Sequence, residues 1–226
     1  MKLSKKKVFA LALAVCLIAT LSMGTLAWFT AEDEVTNNFL VGDSTTPADK
    51  VFGVDVWEYV DTNRDGGLET VGKGTTDDSA TFSEILPGEN LTKKPYLTNT
   101  GIHDQFARAI VTVTGADVLK EALGAGADWK VILTGVDATK WELDSFVYEN
   151  DKFVFTFYYK EILAAGATSA PVFEGVAIPT GLTVDQAATL GNFSVNVLGQ
   201  VIQSEHLVDD AGNAINNAKD AFAILG

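Results

Sequence analysis

The residues best suited to chemistry lie in the segment DTNRDGG, where Asp61, Asn63 and Asp65 alternate before a glycine pair. Alternating oxygen-bearing side chains around a tight glycine turn are how calcium loops gather hard ligands. The twelfth position of such a loop holds a bidentate glutamate, but Gly72 stands there in this chain. The same residues between two apolar runs also describe a β-hairpin turn, because Asp, Asn and Gly tolerate positive φ. A calcium site and a plain turn therefore both fit the segment.

Residues for zinc chemistry or covalent catalysis do not form a recognisable pattern. A zinc protease places two histidines on one helical face with a glutamate between them, whereas His103 and His206 each stand alone. The chain contains no G-x-S-x-G segment of the kind that presents a nucleophilic serine. We therefore predict no catalytic residues and expect the chain not to be an enzyme.

The N-terminal segment has the pattern of an export signal. Four lysines precede an almost uninterrupted apolar run over residues 8–29, and Thr25 and Ala27 occupy the two small-residue positions of a cleavage site. We predict a signal peptide over residues 1–27, cleaved near Ala27 and Trp28. An uncleaved membrane anchor is the alternative, because the run reaches the roughly 20 residues that span a bilayer.

Charge and cysteine content narrow the expected partners. The chain carries 30 acidic and 16 basic residues, a net charge of −14, and loss of the four N-terminal lysines makes it still more negative. So acidic a surface repels nucleic acid and anionic lipid headgroups, so we expect no nucleic-acid partner and membrane association only before cleavage. The single cysteine, Cys16, lies inside the apolar run and follows Val15. A lipidated cysteine normally follows a small residue, so we do not expect the chain to be a lipoprotein.

Short apolar runs with period-two alternation predict strands with one buried face. In the first of them Val54 and Val56 fall on one side, and Trp57 and Tyr59 on the other. The runs cover residues 51–60, 80–86, 106–115, 129–135, 152–160, 172–178 and 192–203. At least seven strands separated by turn signals predict an all-β fold, an antiparallel β-sandwich, as a single domain over residues 50–226.

Helices are expected only in the connections between strands. The segment GADVLKEALGAG predicts one helix with Asp117 as its cap, and residues 183–191 predict a second with Thr183 as its cap. The C-terminal segment NAINNAKDAFAILG is either a third helix or an edge segment. We predict that residues 28–49 precede the domain as an extended arm, with a hinge at 42–50.

Three segments of the chain resemble the TasA/camelysin family of exported Gram-positive proteins. They are MGTLAWFTAEDEVTNNFLVGD near the N-terminus, ILPGENLTKKPYLTNTGIHDQFARAIVTV in the middle, and FSVNVLGQVIQSEH with NAKDAF near the C-terminus. The resemblance implies export through a SipW-type signal peptidase and a jelly-roll-like sandwich. It also implies assembly into extracellular-matrix fibres in which the freed N-terminal segment acts as a donor strand. Some relatives are classed as peptidases, but the zinc pattern is missing here.

The predicted arm itself has features of a strand. Phe29, Val35, Phe39 and Val41 share one parity of an extended chain, although small or polar residues interrupt the stripe. A strand that leaves its domain through a hinge can add to an exposed sheet edge of a neighbour. Pairing within its own domain and a disordered tail are the alternatives.

Taken together, these patterns predict a secreted structural subunit of matrix or cell-surface fibres that needs no cofactor. The alternative is a monomeric adhesion or ligand-binding sandwich stabilised by calcium at Asp61, Asn63 and Asp65. A camelysin-like extracellular protease is a third function to be tested.

Overall fold

The computed structural model describes residues 30–34, 37–38, 52–72, 79–82, 85–190, 193–209 and 211–224. The predicted cleavage residues and most of the predicted arm lie outside these ranges. Within the described residues, eleven strands form two antiparallel sheets, joined by three short α-helices and one 3₁₀ helix. The predicted all-β sandwich with few connecting helices is confirmed.

One sheet has six strands. They are β1 (Thr30–Glu34), β2 (Asn37–Asn38), β6 (Gln105–Thr114), β8 (Trp141–Glu149), β9 (Lys152–Tyr159) and β11 (Val195–Gln203). Their order across the sheet is β2-β1-β11-β6-β9-β8. Residues 30–34 of the predicted arm thus lie in this sheet.

The second sheet has five strands. They are β3 (Val54–Val60), β4 (Glu69–Val71), β5 (Asn90–Asn99), β7 (Leu133–Thr134) and β10 (Gly175–Ala177), in the order β4-β3-β5-β10-β7. From β5 to β7, and again from β9 to β11, consecutive strands alternate between the two sheets. This alternation is the connection pattern of a jelly roll.

The core between the sheets comes from the alternation of side chains along the strands. On β6 the odd-numbered residues from 107 to 113 are fully buried, and they are Ala107, Ala109, Val111 and Val113. Their register partners on β9 are larger: Phe157 opposite Ala109, Phe155 opposite Val111, and Phe153 opposite Val113. Small residues on one strand beside large residues on the next let the inner faces interdigitate at the density of a native core.

The two sheets approach closely at Gly199 on β11. A Cβ atom placed there would lie 2.6 Å from Cγ2 of Val56 and 3.3 Å from Cγ of Leu97. No side chain fits without displacing the facing sheet, so glycine is required by this approach. The contact brings the middle of β11 directly against β3 and β5.

The helices are α1 (Ala116–Leu123), α2 (Val184–Leu190) and α3 (Ala218–Ala223), and the 3₁₀ helix covers Trp129–Ile132. None of the helices within the described ranges has the length and apolar character needed to cross a membrane. The cap predicted at Thr183 is confirmed, because its Oγ1 accepts from the backbone N–H of Gln186 at 3.2 Å. The Gln186 side chain accepts in return from the Thr183 N–H at 2.9 Å, which completes a capping box.

The cap predicted at Asp117 is wrong. Helix α1 is preceded by Gly115 at φ 71°, and Asp117 lies in its first turn. The carboxylate that serves this helix start comes from a distant part of the chain: Oδ1 of Asp151 accepts from the Asp117 N–H at 2.7 Å. Because Asp151 belongs to the turn between β8 and β9, no local sequence pattern identifies it.

Two predicted strands are also wrong in extent. The described residues of 80–86 contain no strand, and a turn at Pro87 and Gly88 follows them. In 129–135 only Leu133 and Thr134 are extended. The Asp128 carboxylate accepts the N–H of Lys130 at 3.2 Å and starts a 3₁₀ turn instead, a local bond that competes with strand formation.

Candidate functional site

Strand β1 pairs antiparallel with β11 along its whole length. Thr30 lies opposite Ile202, Ala31 opposite Val201, and the register continues to Glu34 opposite Leu198. On its other side, within the described residues, β1 pairs with the two-residue β2. β1 also approaches β3 of the facing sheet. The N-terminal segment therefore completes the six-stranded sheet and covers one end of the sandwich.

The register places β1 beside the part of β11 that packs against the second sheet. Ala31 and Asp33 are opposite Val201 and Gly199, the residues of β11 that face that sheet. The predicted donor residues Phe29, Val35, Phe39 and Val41 lie outside the described residues.

The partner strand β11 is packed against other residues on both of its faces. Its inner face packs through Val197 and Val201 into the main core. Its outer face is covered by the C-terminal segment, whose apolar residues form a second cluster with residues of β6, β9 and β11. That cluster consists of Phe106, Tyr158, Ile202, Ile215, Ala218, Ala221 and Phe222, with Leu207 packed against it. Both faces of the strand that pairs with β1 are therefore packed against apolar residues.

Arg108 stabilises the packing of the C-terminal segment on the outer face of β11. Its guanidinium lies 4.3 Å from the centroid of the Phe222 ring, and its Nε donates to Oε1 of Gln200 on β11. An arginine over an aromatic face contributes about 0.5–1 kcal/mol at exposed sites and more when desolvated. Lys219 of α3 pairs with Asp144 at 2.6 Å, which ties the same helix to β8.

The segment DTNRDGG forms the loop between β3 and β4, so the predicted hairpin turn is confirmed. Gly66 has a φ of 87°, the left-handed conformation that glycine adopts without strain. The Gly66 N–H donates to Oδ2 of Asp61 at 2.9 Å, and the Asp65 N–H donates to Oδ1 of Asn63 at 3.1 Å. Asp61, Asn63 and Asp65 are therefore brought together around one turn.

One oxygen of this loop is unpaired within the part of the chain that the structure describes. Oδ1 of Asp61 is shielded from solvent, and no group among those residues donates a hydrogen bond to it. The carboxylate of Asp209 in the C-terminal loop offers a contrast, because it accepts from the N–H of Ala211 and from both the N–H and the side-chain amide of Asn213. These bonds, chiefly those from Asn213, lower the pKa of Asp209. An unpartnered buried acceptor costs about 1–3 kcal/mol, and a bound cation is one way to recover that cost.

Neither histidine lies in a cluster of metal ligands. His103 is exposed in the turn between β5 and β6, with its ring 5.9 Å from that of Phe52, and His206 is exposed in the loop after β11. Among the described residues, no three His, Cys, Asp or Glu side chains are grouped so as to hold a metal ion. The Asp61 loop offers only two carboxylates and an amide.

Two polar arrangements were not predicted from the sequence. Glu58 and Lys93 form an ion pair, with 4 % and 13 % of their side chains exposed. Lys120, Trp129 and Tyr148 meet beside an open cavity. The first breaks the rule that polar residues face outward, and the second joins residues from a helix, a connection and a strand.

Comparison of the chain with known protein families, with characterised proteins and with solved structures finds no match. Function must therefore be argued from the residues themselves.

Proposed function

We propose that this chain is a secreted structural subunit of extracellular-matrix or cell-surface fibres, and that subunits join by exchanging strand β1. The supporting observation is the pairing of β1 with β11 over five residues. The strand that completes the sheet begins at Thr30, three residues after the predicted cleavage site at Ala27. Processing therefore frees the end of a strand on which the sandwich depends.

Exchange of this strand requires little new structure. A β1 strand from one subunit can make the same backbone hydrogen bonds with a neighbour's β11 that it makes with β11 of its own subunit, as in domain swapping and strand addition. Residues 39–53 separate β2 from β3 and include the predicted hinge at 42–50, so the chain between the strand and the body is long enough to change direction. A head-to-tail contact of this kind builds an open filament when the rotation between successive subunits does not close a ring.

The resemblance to the TasA/camelysin family supports the same function. It makes a SipW-type signal peptidase the expected processing enzyme and other matrix subunits the expected partners. Before cleavage the segment is tethered to the membrane by the apolar run of residues 8–29, so cleavage acts as the step that permits assembly. Nucleic acid is not an expected partner of a chain with a net charge of −14.

Electron microscopy of the trimmed chain, which we define as residues 28–226, tests this function. We expect fibres to form from the purified trimmed chain, while a chain that retains residues 1–27 in detergent stays unassembled. The difference follows because only the trimmed chain has a free strand end. A trimmed chain that remains monomeric at high concentration contradicts the proposal and favours a monomeric binding module.

The unpartnered Oδ1 of Asp61 favours a second candidate function, a sandwich stabilised by calcium. Asp61, Asn63 and Asp65 would hold the ion through their side-chain oxygens, since calcium takes oxygen ligands in flexible geometry. The absence of a bidentate glutamate predicts weak binding, of the strength found in extracellular modules. This role is compatible with fibre assembly, because the loop lies at the end of β3.

Calcium is expected to raise the melting temperature of the trimmed chain relative to chelator. Binding to the native state alone, at a concentration about a hundredfold above the dissociation constant, adds about 2.7 kcal/mol, or roughly 5–10 °C for a chain of this size. Asp61→Asn should abolish the shift, while Asp209→Asn, in the loop whose carboxylate is already hydrogen-bonded, should leave it intact. An identical melting temperature with calcium and with chelator would contradict calcium binding by this loop.

A further inference from the structure

A cavity of about 430 Å³ opens beside helix α1, outside the strand and loop described above. It is lined by acidic, basic and aromatic side chains, of which Asp117, Lys120, Glu121, Trp129 and Tyr148 carry functional groups. Ligand pockets are roughly 300–1,000 Å³, and most combine an aromatic surface with a few placed polar groups. The size and lining of this cavity therefore fit a small ligand or one part of a longer one.

The aromatic wall of the cavity is rigid. The Trp129 ring stacks on Phe153 of the core at 5.8 Å between centroids, and meets Tyr148 edge to face at 5.7 Å. Phe153 is fully buried, so it fixes the indole from behind. Tyr148 is 37 % exposed and offers part of its ring to the cavity.

Lys120 is held in place by both rings. Its Nζ lies 4.9 Å from the centroid of Trp129 and 4.4 Å from that of Tyr148. These contacts position an ammonium, with its hydrogen-bond donors, at the aromatic wall. A second cation is disfavoured at this position because Lys120 already occupies it.

Acceptors and a spare donor surround this ammonium. The Asp117 carboxylate accepts the Tyr148 hydroxyl, and this bond raises the pKa of Tyr148. Glu121 is exposed one residue after Lys120 on the same helix. Nε1 of Trp129 is shielded from solvent and has no acceptor among the described residues. A ligand oxygen that accepts a hydrogen bond from Nε1 recovers the cost of this unpaired donor.

We propose that this cavity binds a neutral saccharide. A sugar ring has apolar C–H faces that pack on an aromatic ring, and hydroxyl groups that both donate and accept hydrogen bonds. Tyr148 supplies the ring surface, Lys120 and Trp129 supply donors, and Asp117 and Glu121 supply acceptors. An anionic saccharide is disfavoured by these two carboxylates and by the net charge of −14. The proposal does not depend on fibre assembly.

The test is a titration of the trimmed chain with hexasaccharides. The probes are maltohexaose, cellohexaose, chitohexaose and a β-1,3-glucan hexaose, with a polygalacturonate oligomer and a lysine hexapeptide as charged competitors. Calorimetry and tryptophan fluorescence report binding. We expect at least one neutral hexaose to bind at millimolar concentration or below and to bind more tightly than either charged probe.

Three variants link binding to the cavity. Trp129→Phe keeps the ring that stacks on Phe153 but removes the N–H, and should weaken affinity about fivefold, the effect of one hydrogen bond. Lys120→Met should weaken it by a similar factor, and Tyr148→Ala by about tenfold. Trp57→Phe is the matched control, because it removes an indole N–H that donates to Thr98 within the five-stranded sheet, outside the cavity lining. It should leave affinity unchanged.

Three results would overturn the proposal. They are failure of all four neutral hexaoses to bind at millimolar concentration, binding that all three cavity variants leave intact, and tighter binding of either charged probe than of any neutral hexaose. Circular dichroism of each variant establishes that it is folded before its affinity is compared.

Discussion

Deleting residues 28–41 from the trimmed chain is expected to abolish fibres and to destabilise the remaining sandwich. The deletion removes β1, so the N–H and C=O groups of β11 that pair with Thr30–Glu34 become an open edge. With each ladder hydrogen bond contributing about 1 kcal/mol net, the loss amounts to roughly 3–5 kcal/mol of unfolding free energy. Urea denaturation measures the free energy of unfolding, and electron microscopy shows whether fibres form.

A synthetic peptide with the sequence of residues 28–41 is the control for the deletion. The peptide should bind the shortened chain and restore its stability, because the vacant edge of β11 accepts an added strand. A scrambled peptide of the same composition should not. Fibres that persist after the deletion contradict strand exchange, and a peptide that fails to bind means that β11 is not the acceptor.

Lys93→Met is expected to destabilise the trimmed chain by about 3–5 kcal/mol. Lys93 and Glu58 pair with 13 % and 4 % of their side chains exposed, at the end of β3 beside the fully buried Val60. Removing the lysine leaves the Glu58 carboxylate buried without its counter-charge. The cost is that of an uncompensated buried charge rather than of the lost attraction alone.

The neighbouring residue Lys94 offers a matched control. It pairs with Glu174 at 3.7 Å, and these side chains are 28 % and 54 % exposed, so Lys94→Met should cost about 0–1 kcal/mol. In the double variant Glu58→Leu with Lys93→Met, both charges are gone, and most of the stability should return. Urea denaturation compares the four chains. Equal costs at positions 93 and 94 would mean that the Glu58 pair is effectively solvated.

The parts of the fold that follow from local patterns were predictable. On β3 the inward-facing Val54 and Val56 have the predicted parity, and the hairpin at Asp61 follows from its Asp, Asn and Gly residues. The capping box at Thr183 is likewise a local pattern. Each of these features depends on residues within a few positions of one another, where periodicity and turn chemistry carry information.

The parts that depend on distant residues were not predictable. Trp57 faces away from the core valines yet is buried, because Tyr96 of β5 stacks on it at 4.6 Å. The N-cap acceptor of α1 comes from Asp151, 34 residues after the N–H that it binds. The cavity requires Trp129 and Tyr148 to meet across two elements. The register of β1 against β11 joins the two ends of the chain, so it too needed the structure.

The most direct test of strand exchange is a disulfide between register partners on β1 and β11. Glu34 lies opposite Leu198, and neighbouring strands place such partners about 4.5–5.5 Å apart at Cα, within the range of a disulfide. The only native cysteine, Cys16, falls in the predicted signal peptide, so the trimmed chain has none to interfere. Thr112 and Asn196, partners on β6 and β11, provide a pair that exchange does not separate.

Fibres assembled from Glu34→Cys/Leu198→Cys under reducing conditions should be oxidised, dissolved and run on a non-reducing denaturing gel. Strand exchange predicts a ladder of covalent multimers, because each disulfide joins two subunits, whereas Thr112→Cys/Asn196→Cys fibres should give monomers. Fibres of the first variant that dissolve entirely into internally disulfide-bonded monomers would show that β1 pairs with β11 of its own subunit. That result would contradict strand exchange.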